Sequence, residues 1–422
     1  MNKIRCLAHA MVLLLSPSLA LPAESLIDIQ AAAPTVGVDI RYATKDNFVG
    51  EALYPQSRCL LWTRAAESLA KVQRELEKRR LGLKVWDCYR PLAVQYKLWA
   101  KVPDERYVAN PANGSRHNRG AAVDLTLVDA LGRELPMPTA YDDFTEKAHR
   151  NFEDVTQEEK ANRRLLEVVM SRHGFIGLDT EWWHFDYKGW QNYPVMDLPL
   201  ERIPAIDEAG QLIVVGAKDW DQTAAKVYLF ERSAKGWRRV KSMPAVLGRK
   251  GLGWGLGLHP QIDREPQKRE GDLRSPAGVF AMVDAYGYDQ RLPFDHRWPY
   301  AQATPDLICV DDPKSGYYNR VILKSGPQDW SSAEDMLRKD DLYRRLIIVE
   351  HNSNPPKPGR GSCIFFHIWK DKNSGTAGCT AFAQKDIEFI VEWLDPAKKP
   401  VVVQLPEKVY GEIAGIWNLP RF

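Results

Sequence analysis

Residues 115–127 read SRHNRGAAVDLTL. As a strand the second half alternates: Val123, Leu125 and Leu127 share one face, and Ala122, Asp124 and Thr126 share the other. The aliphatic face belongs to a core. Asp124 then points away from that core between small neighbours, with room for something opposite. His117 lies at an odd separation from Asp124 and cannot share its face on one straight strand, so Gly120 has to supply the bend. A histidine and a carboxylate converging across a turn make half of a metal site. The competing reading pairs Asp124 with Arg116 or Arg119.

The other half is DTEWWHFDY, residues 179–187. Two tryptophans lie between a glutamate and a histidine and build a dry wall. Glu181 and His184 are three positions apart and would face opposite ways in a regular strand. The backbone is therefore expected to be irregular at Glu181, or the strand to start only at Trp183.

Around these motifs the pattern is mixed α and β. In CLLWTRAAESLAKVQRELEKRR, residues 59–80, Leu61, Ala65, Leu69, Val72 and Leu76 recur at helical spacing, and Gly82 is expected to stop the helix. LKVWDCY reads as a strand ended by Arg90-Pro91, and PLAVQYKLWAKV as a short helix with Pro91 at its start. The prolines and charges of YPVMDLPLERIPAID, residues 193–207, mark a linker. Beyond it QLIVVGA, KVYLFER, GWRRV, MPAVLG, RLIIVEH, CIFFHIW and PVVVQL are β-rich runs. Only AQKDIEFIVEWLD is helical, with Ile387, Ile390, Val391 and Leu394 on one face.

A chain of 422 residues suggests two domains. A net charge of +3 with scattered basic residues leaves no electrostatic footprint for nucleic acid. Most of the fourteen tryptophans are assigned to core packing. The first residues, MNKIRCLAHAMVLLLSPSLALPAES, read as a signal peptide, with a basic start at Lys3 and Arg5 and cleavage after Ala20 or Ala23. The mature protein is expected to be exported, to a periplasm or cell wall, with no stable membrane anchor. Cys59, Cys88, Cys309, Cys363 and Cys379 then remain, an odd number in an oxidising compartment. Cys59–Cys88 is expected to be a disulfide, against the alternative of two buried thiols.

SRHNRGAAVDLTL and EWWHFDY together resemble the zinc D-Ala-D-Ala dipeptidases of the vancomycin-resistance type. Their hallmark S-x-H-x-x-G-x-A-x-D is matched by Ser115, His117, Gly120, Ala122 and Asp124, and their E-x-x-H by Glu181 and His184. DCYRP and DIRYATKDNFVG resemble further family segments. The resemblance implies that His117, Asp124 and His184 hold one Zn²⁺ per chain, leaving a fourth position for water. It implies Glu181 as general base and acid, and Arg90 facing the oxyanion. A surface ion pair is the other reading of Arg90. Tyr42, Ser115 and the Asp142/Asp143 pair are candidates for the substrate ammonium. A solvent ion pair or a helix cap competes for either aspartate.

In GSCIFFHIWKDKNSGTAGCTAF, residues 361–382, a strand carries His367 and a small-residue loop delivers Cys379. The residues allow a thiolate–imidazolium pair or a buried cysteine after a turn. With GDLRSPAGVFAM, residues 271–282, the segment resembles the L,D-transpeptidase catalytic domain. Pro276, Gly278 and Phe280 match P-x-G-x-F, and His367, Thr376, Gly378 and Cys379 match H…S/T-x-G-C. The resemblance implies Cys379 as nucleophile, His367 as its base and backbone N–H groups around Gly378 as oxyanion hole. Two departures stand out: Ala377 replaces the usual histidine of S-H-G-C, and no arginine follows two residues after the cysteine, where Ala381 stands.

The expected order is signal peptide 1–23, an α+β zinc peptidase domain of the D-Ala-D-Ala metallopeptidase/hedgehog-like fold at 24–203, a linker at 204–210, a mostly β L,D-transpeptidase-like domain at 211–405 and a C-terminal tail at 406–422. The expected substrates are D-Ala-D-Ala and peptidoglycan stem peptides. The alternatives are a zinc D,D-carboxypeptidase trimming pentapeptides to feed the second domain, and a second domain that only binds peptidoglycan.

Overall fold

The computed structural model describes residues 24–325 and 327–421, so the expected signal peptide lies outside the described residues. The first half is built on a five-stranded sheet in the order Gly37–Val38, Leu81–Asp87, Ala122–Asp129, Glu181–Tyr187 and Phe175–Leu178. The first pair is parallel and the rest are antiparallel. Helices Thr63–Glu77 and Gln157–Arg172 cover one face, the first against the Leu81 strand and the second against the Phe175 strand. Val123, Leu125 and Leu127 are fully buried, as the alternation demands. Ala122, Asp124 and Thr126 are buried as well, so their face meets protein rather than solvent.

Two local expectations shift. Leu61 lies in a short strand, Leu60–Trp62, that pairs with Leu26–Asp28, and the helix begins only at Thr63. Gly82 does not stop that helix. The helix ends at Glu77, the chain reverses at Arg80 with a left-handed φ of 60°, and Gly82 sits inside the next strand beside Gln73. Long-range pairing of Leu60–Trp62 outweighs the helical period there.

The Cys59–Cys88 disulfide forms, with Cα atoms 5.1 Å apart, and Cys309 pairs with Cys363. Closing a loop of this length stabilises the fold by about 3–4 kcal/mol in the chain-entropy view.

In the second half a ten-stranded sheet closes on itself as a barrel. Its ring runs through Ser275–Gly287, Arg345–Val349, Phe365–Ile368, Thr380–Phe382, Gly236–Val246, Ala224–Ser233, Gln211–Ala217 and Val401–Pro406, which returns to Ser275–Gly287. The runs GWRRV and MPAVLG contribute to one strand with a register shift between Arg239 and Lys241. Helix Gln384–Trp393 buries Ile387, Ile390 and Val391 as expected. The closing segment is more than a loose tail. Helix Glu407–Ile413 and the buried Ile416 and Trp417 return to the first half, where Arg58 Nη1 donates to the Ile416 and Leu200 carbonyls at 3.2 and 3.0 Å. Among the described residues no helix is long and apolar enough to cross a membrane.

Candidate active sites

The central strands lay a polar row across the first sheet. Asp87 pairs with Asp124, and Asp124 pairs with His184. Directly opposed residues project to one face. Glu181 joins that face because the register on its strand jumps: Gly177 pairs with Phe185 and Leu178 with Glu181. The extra residues form a bulge that turns the strand. The irregularity falls where expected, although the strand starts at Glu181 rather than Trp183.

His117 comes from outside the sheet. It opens the short turn His117–Arg119, which Gly120 ends at a φ of 61°. A Cβ on Gly120 would lie 2.5 Å from Leu26 Cδ2, so conformation and space both require glycine. His117 Nδ1 lies 2.7 Å from the Cys88 carbonyl oxygen, which can only accept. Nδ1 therefore carries the proton and Nε2 presents its lone pair. Nε2 lies 3.3 Å from Asp124 Oδ2 and 3.1 Å from His184 Nδ1. His184 Nδ1 lies 2.9 Å from Asp124 Oδ1, and its Nε2 is 2.9 Å from Asp186 Oδ1.

The ligand atoms of His117, Asp124 and His184 all lie within 4.8 Å of one another, and all three residues are buried. Two imidazole nitrogens and a carboxylate oxygen brought this close make a set that could hold a metal cation. Burial opposes a charge on His184, yet Asp124 and Asp186 outweigh it and push the ring up to about 10. Despite burial, the two histidines hold the Asp124 carboxyl well below the usual range. Each ring is also anchored from behind, His117 by a carbonyl and His184 by a carboxylate, as metal-ligating histidines are. The donor set fits Zn²⁺ with a fourth position left open.

Glu181 stands beside this cluster, its Oε2 3.9 Å from His184 Nδ1, and burial pushes its carboxyl up to about 7. Arg90 is buried and makes no surface ion pair. Its Nε and Nη2 donate to Asp87 Oδ2 at 3.0 and 2.6 Å, and Nη1 donates to Gln95 Oε1 at 2.8 Å. Tyr42 OH donates to Asp142 Oδ2 at 3.1 Å. Burial, and then repulsion from Asp124, pushes the Asp142 carboxyl well up. Glu181, Arg90, Tyr42 and Asp142 line one cavity of about 530 Å³ together with His117, Asp124 and His184.

Asp143 neither lines the cavity nor caps a helix; its Oδ1 accepts from the Thr145 N–H at 2.9 Å in a local turn. Ser115 lines the cavity and shapes the His117 turn, its Oγ accepting from the His117 N–H at 3.3 Å. The surface pairing of Asp124 fails, because Arg116 binds Asp186 at 3.1 Å and Arg119 donates to the Tyr193 carbonyl at 2.6 Å.

Sequence reasoning missed Asp87, Asp186 and Tyr141, whose OH donates to Asp124 Oδ2 at 3.0 Å. Two signals were available. Asp87 stands three residues before Arg90, and Asp186 shares a strand face with His184. Nothing local marks Tyr141.

In the barrel, His367 pairs with Ala381, two residues past Cys379, so ring and thiol turn toward one cleft of about 910 Å³. Cys379 is the free cysteine among the described residues. Its Sγ accepts from the Phe365 N–H at 3.3 Å and approaches the Cys363 carbonyl at 3.6 Å. The expected thiolate–imidazolium pair is not formed. His367 Nδ1 donates to the Ile368 carbonyl at 2.7 Å, and burial lowers the ring to about 4 and pushes the thiol well up. Both groups are neutral, with the His367 Nε2 lone pair free of that bond. The Gly378 N–H is also committed, donating to Thr376 Oγ1 at 3.1 Å, so it is not a ready oxyanion donor. Gly278 is required by packing: a Cβ there would collide with the His259 ring. Sequence reasoning also missed Lys268, Glu334 and Tyr343, which line the cleft from distant segments.

A buried histidine–aspartate cluster with a carboxylate beside it thus precedes a barrel with a thiol in its cleft. The family model described as D-ala-D-ala dipeptidase matches residues 23–198, and that of the L,D-transpeptidase catalytic domain matches residues 219–403. The chain belongs to the D-Ala-D-Ala dipeptidase family and carries an L,D-transpeptidase catalytic domain behind it. It is 38% identical over 171 residues to the D-alanyl-D-alanine dipeptidase of Escherichia coli (strain K12), covering 40% of this chain and 89% of the relative. With the dipeptidase of Enterococcus faecium the identity is 34% over 168 residues, 35% of this chain and 83% of the relative. Among solved structures, Bd1075 of Bdellovibrio bacteriovorus aligns with a TM-score of 0.24 at 12% identity, over 46% of this chain and 47% of that one. The vancomycin-resistance D,D-pentapeptidase VanY in complex with Zn(II) aligns with a TM-score of 0.21 at 19% identity, over 32% of this chain and 75% of that one.

Proposed function

We propose that this is an exported enzyme of peptidoglycan peptides. Residues 24–203 hydrolyse D-Ala-D-Ala with one zinc held by His117, Asp124 and His184, and residues 211–405 act on stem peptides through Cys379 and His367. The observation that carries the reading is the convergence of His117 Nε2, an Asp124 oxygen and His184 Nδ1 within 4.8 Å. A zinc ion there supplies Lewis acidity toward a peptide carbonyl and toward water. Glu181, beside the cluster but outside it, takes a proton from the attacking water and returns it to the leaving amine. Three N–H groups of Arg90 serve Asp87 and Gln95, and its remaining N–H groups face the oxygen that becomes negative. Asp142, held by Tyr42, receives the substrate ammonium, whose charge relieves the strain of a buried carboxylate near Asp124.

In the barrel, the Cys379 proton passes to His367 Nε2 and sulfur adds to the stem-peptide carbonyl. The C–N bond then breaks, and the departing amine takes that proton away. An acceptor amine or water then resolves the thioester. Export is supported by the basic, apolar and small-residue run at 1–23 and by two disulfides, which persist in oxidising compartments.

The test is incubation of the purified protein with D-Ala-D-Ala, pentapeptide and tetrapeptide muropeptides, with and without chelator, read by mass spectrometry. Glu181→Ala is expected to abolish dipeptide hydrolysis alone, and Cys379→Ala to abolish tetrapeptide conversion alone. Dipeptide hydrolysis that survives chelation would overturn the first assignment. Pentapeptide cleaved in preference to dipeptide would replace it with the carboxypeptidase reading. Sequencing the mature N-terminus checks export, which requires a start after Ala20 or Ala23.

A further inference from the structure

Lys268 is 3% exposed, an unusual place for an ammonium group. Its stem runs against Gly361, where a Cβ would lie 2.9 Å from Lys268 Cε. Its Nζ arrives beside Gly378, 3.8 Å from the point a Cβ would occupy there. Glycine at position 361 thus admits a cation to the backbone next to Cys379. The acceptors at Nζ are the Arg269 carbonyl at 2.7 Å and Asp272 Oδ1 at 2.6 Å, and an ammonium carries three donors. One N–H remains for the cleft that Lys268 and Cys379 both line.

We propose that Lys268 is the positioning cation of the thiol site, stabilising the Cys379 thiolate and the carbonyl oxygen that turns negative when the thiolate adds. The assignment rests on reading Cys379 as the nucleophile. The attacking species is the thiolate, and burial alone works against it. Glu334, Lys268 and Arg338 are the charges that act most on the thiol, and Arg249, Lys370 and Asp311 also line the cleft. Glu334, bonded to Tyr343 OH at 2.6 Å, repels a thiolate, and Glu270 accepts from Tyr318 OH and from Ser362 Oγ at 2.7 Å. Arg338 acts on the thiol less than Lys268, its Nε and Nη2 donating to Asp340 at 2.9 and 2.8 Å, and burial keeps His367 neutral. Position 381, where the resembling family carries an arginine, is a buried alanine.

The test is the rate of Cys379 alkylation by iodoacetamide against pH on the full-length protein with its disulfides intact. Lys268→Met is expected to raise the midpoint by about one pH unit, and Lys268→Arg to stay close to the parent. Asp272→Asn is expected to lower the midpoint, because it removes the negative charge nearest the ammonium. D-Ala-D-Ala hydrolysis, carried by the other domain, stays at the parent level and reports an intact chain. A Lys268→Met midpoint equal to the parent overturns the assignment. Should that variant not fold, an Asp272→Asn midpoint that is unchanged or raised does so instead. If Cys379 is not alkylated in any of the proteins, the nucleophile reading fails, and the role of Lys268 fails with it.

Discussion

Arg90→Lys separates holding the fold from serving the reaction. Arg90 and Asp87 are 7% and 0% exposed, and Asp87 Oδ1 also accepts from Tyr54 OH at 2.8 Å. Removing the positive charge would orphan a buried carboxylate, at a cost of about 3–5 kcal/mol. Lysine keeps that charge but lacks the planar fork, so it cannot span Asp87 Oδ2 and Gln95 Oε1 together. The loss is then one charge-assisted hydrogen bond, about 1.5–3 kcal/mol. For a domain of this size that lowers Tm by roughly 3–12 °C. The catalytic loss is larger. An oxyanion donor is commonly worth about 3–4 kcal/mol, a fall of about 10²–10³ in kcat, with KM little changed because the contact forms in the transition state. The assay is D-alanine release from D-Ala-D-Ala, with bound zinc quantified on the same sample. A kcat within about threefold of the parent at full zinc content would refute the oxyanion role and leave Arg90 a strut for Asp87.

Asp186→Asn weakens the acceptor behind His184 Nε2, 2.9 Å away, and is expected to cut zinc affinity about 10–100-fold in a competition titration; unchanged affinity would remove Asp186 from the site. Gly120→Ala forces a left-handed φ on an L-residue at about 1–2 kcal/mol and drives a Cβ against Leu26 at about 1–3 kcal/mol more. Its thermal transition should fall accordingly and its zinc affinity drop with the displaced His117, and a parent-like Tm would contradict the turn geometry. In the barrel, burial lowers His259 to about 4 and His351 to about 3. His351 is locked neutral, its Nδ1 accepting from the Leu256 N–H and its Nε2 donating to the Arg360 carbonyl. The unfolded chain takes up protons below about pH 6.5 and the native rings refuse them, so stability is full above that pH and falls on acidification, by on the order of 3 kcal/mol per ring by about pH 4. A barrel transition that stays put between pH 7 and 4.5 would show that the rings are not buried neutral.

The histidine–aspartate cluster was legible because its signals are local. Strand alternation put Asp124 opposite the aliphatic face, the odd separation from His117 demanded a bend, and Gly120 provides it at a φ of 61°. The spacing of Glu181 and His184 demanded an irregular strand, and the register jump supplies it. Disulfide Cys59–Cys88 followed from two cysteines flanking one helix and strand, whereas Cys309–Cys363 joins segments with no such local tie.

What sequence period alone could not decide was which residues meet across the fold. The helix proposed from Leu61 onward lost its first turn because Leu60–Trp62 pairs with Leu26–Asp28, a contact no local window contains. Tyr141 reaches Asp124, and Lys268 reaches the cleft of Cys379, through loops whose course the barrel and sheet dictate. The His367–Cys379 pair shows the same limit from the other side. Both residues were named from their spacing, yet burial keeps them neutral, and Ile368 and Phe365 engage His367 Nδ1 and Cys379 Sγ. By itself the sequence determined which side chains could carry the chemistry and which face of a strand they occupy, because backbone geometry repeats every two residues. Only the tertiary structure decided their partners, their burial and hence their charge, because those depend on segments far along the chain packing into the same low-dielectric space.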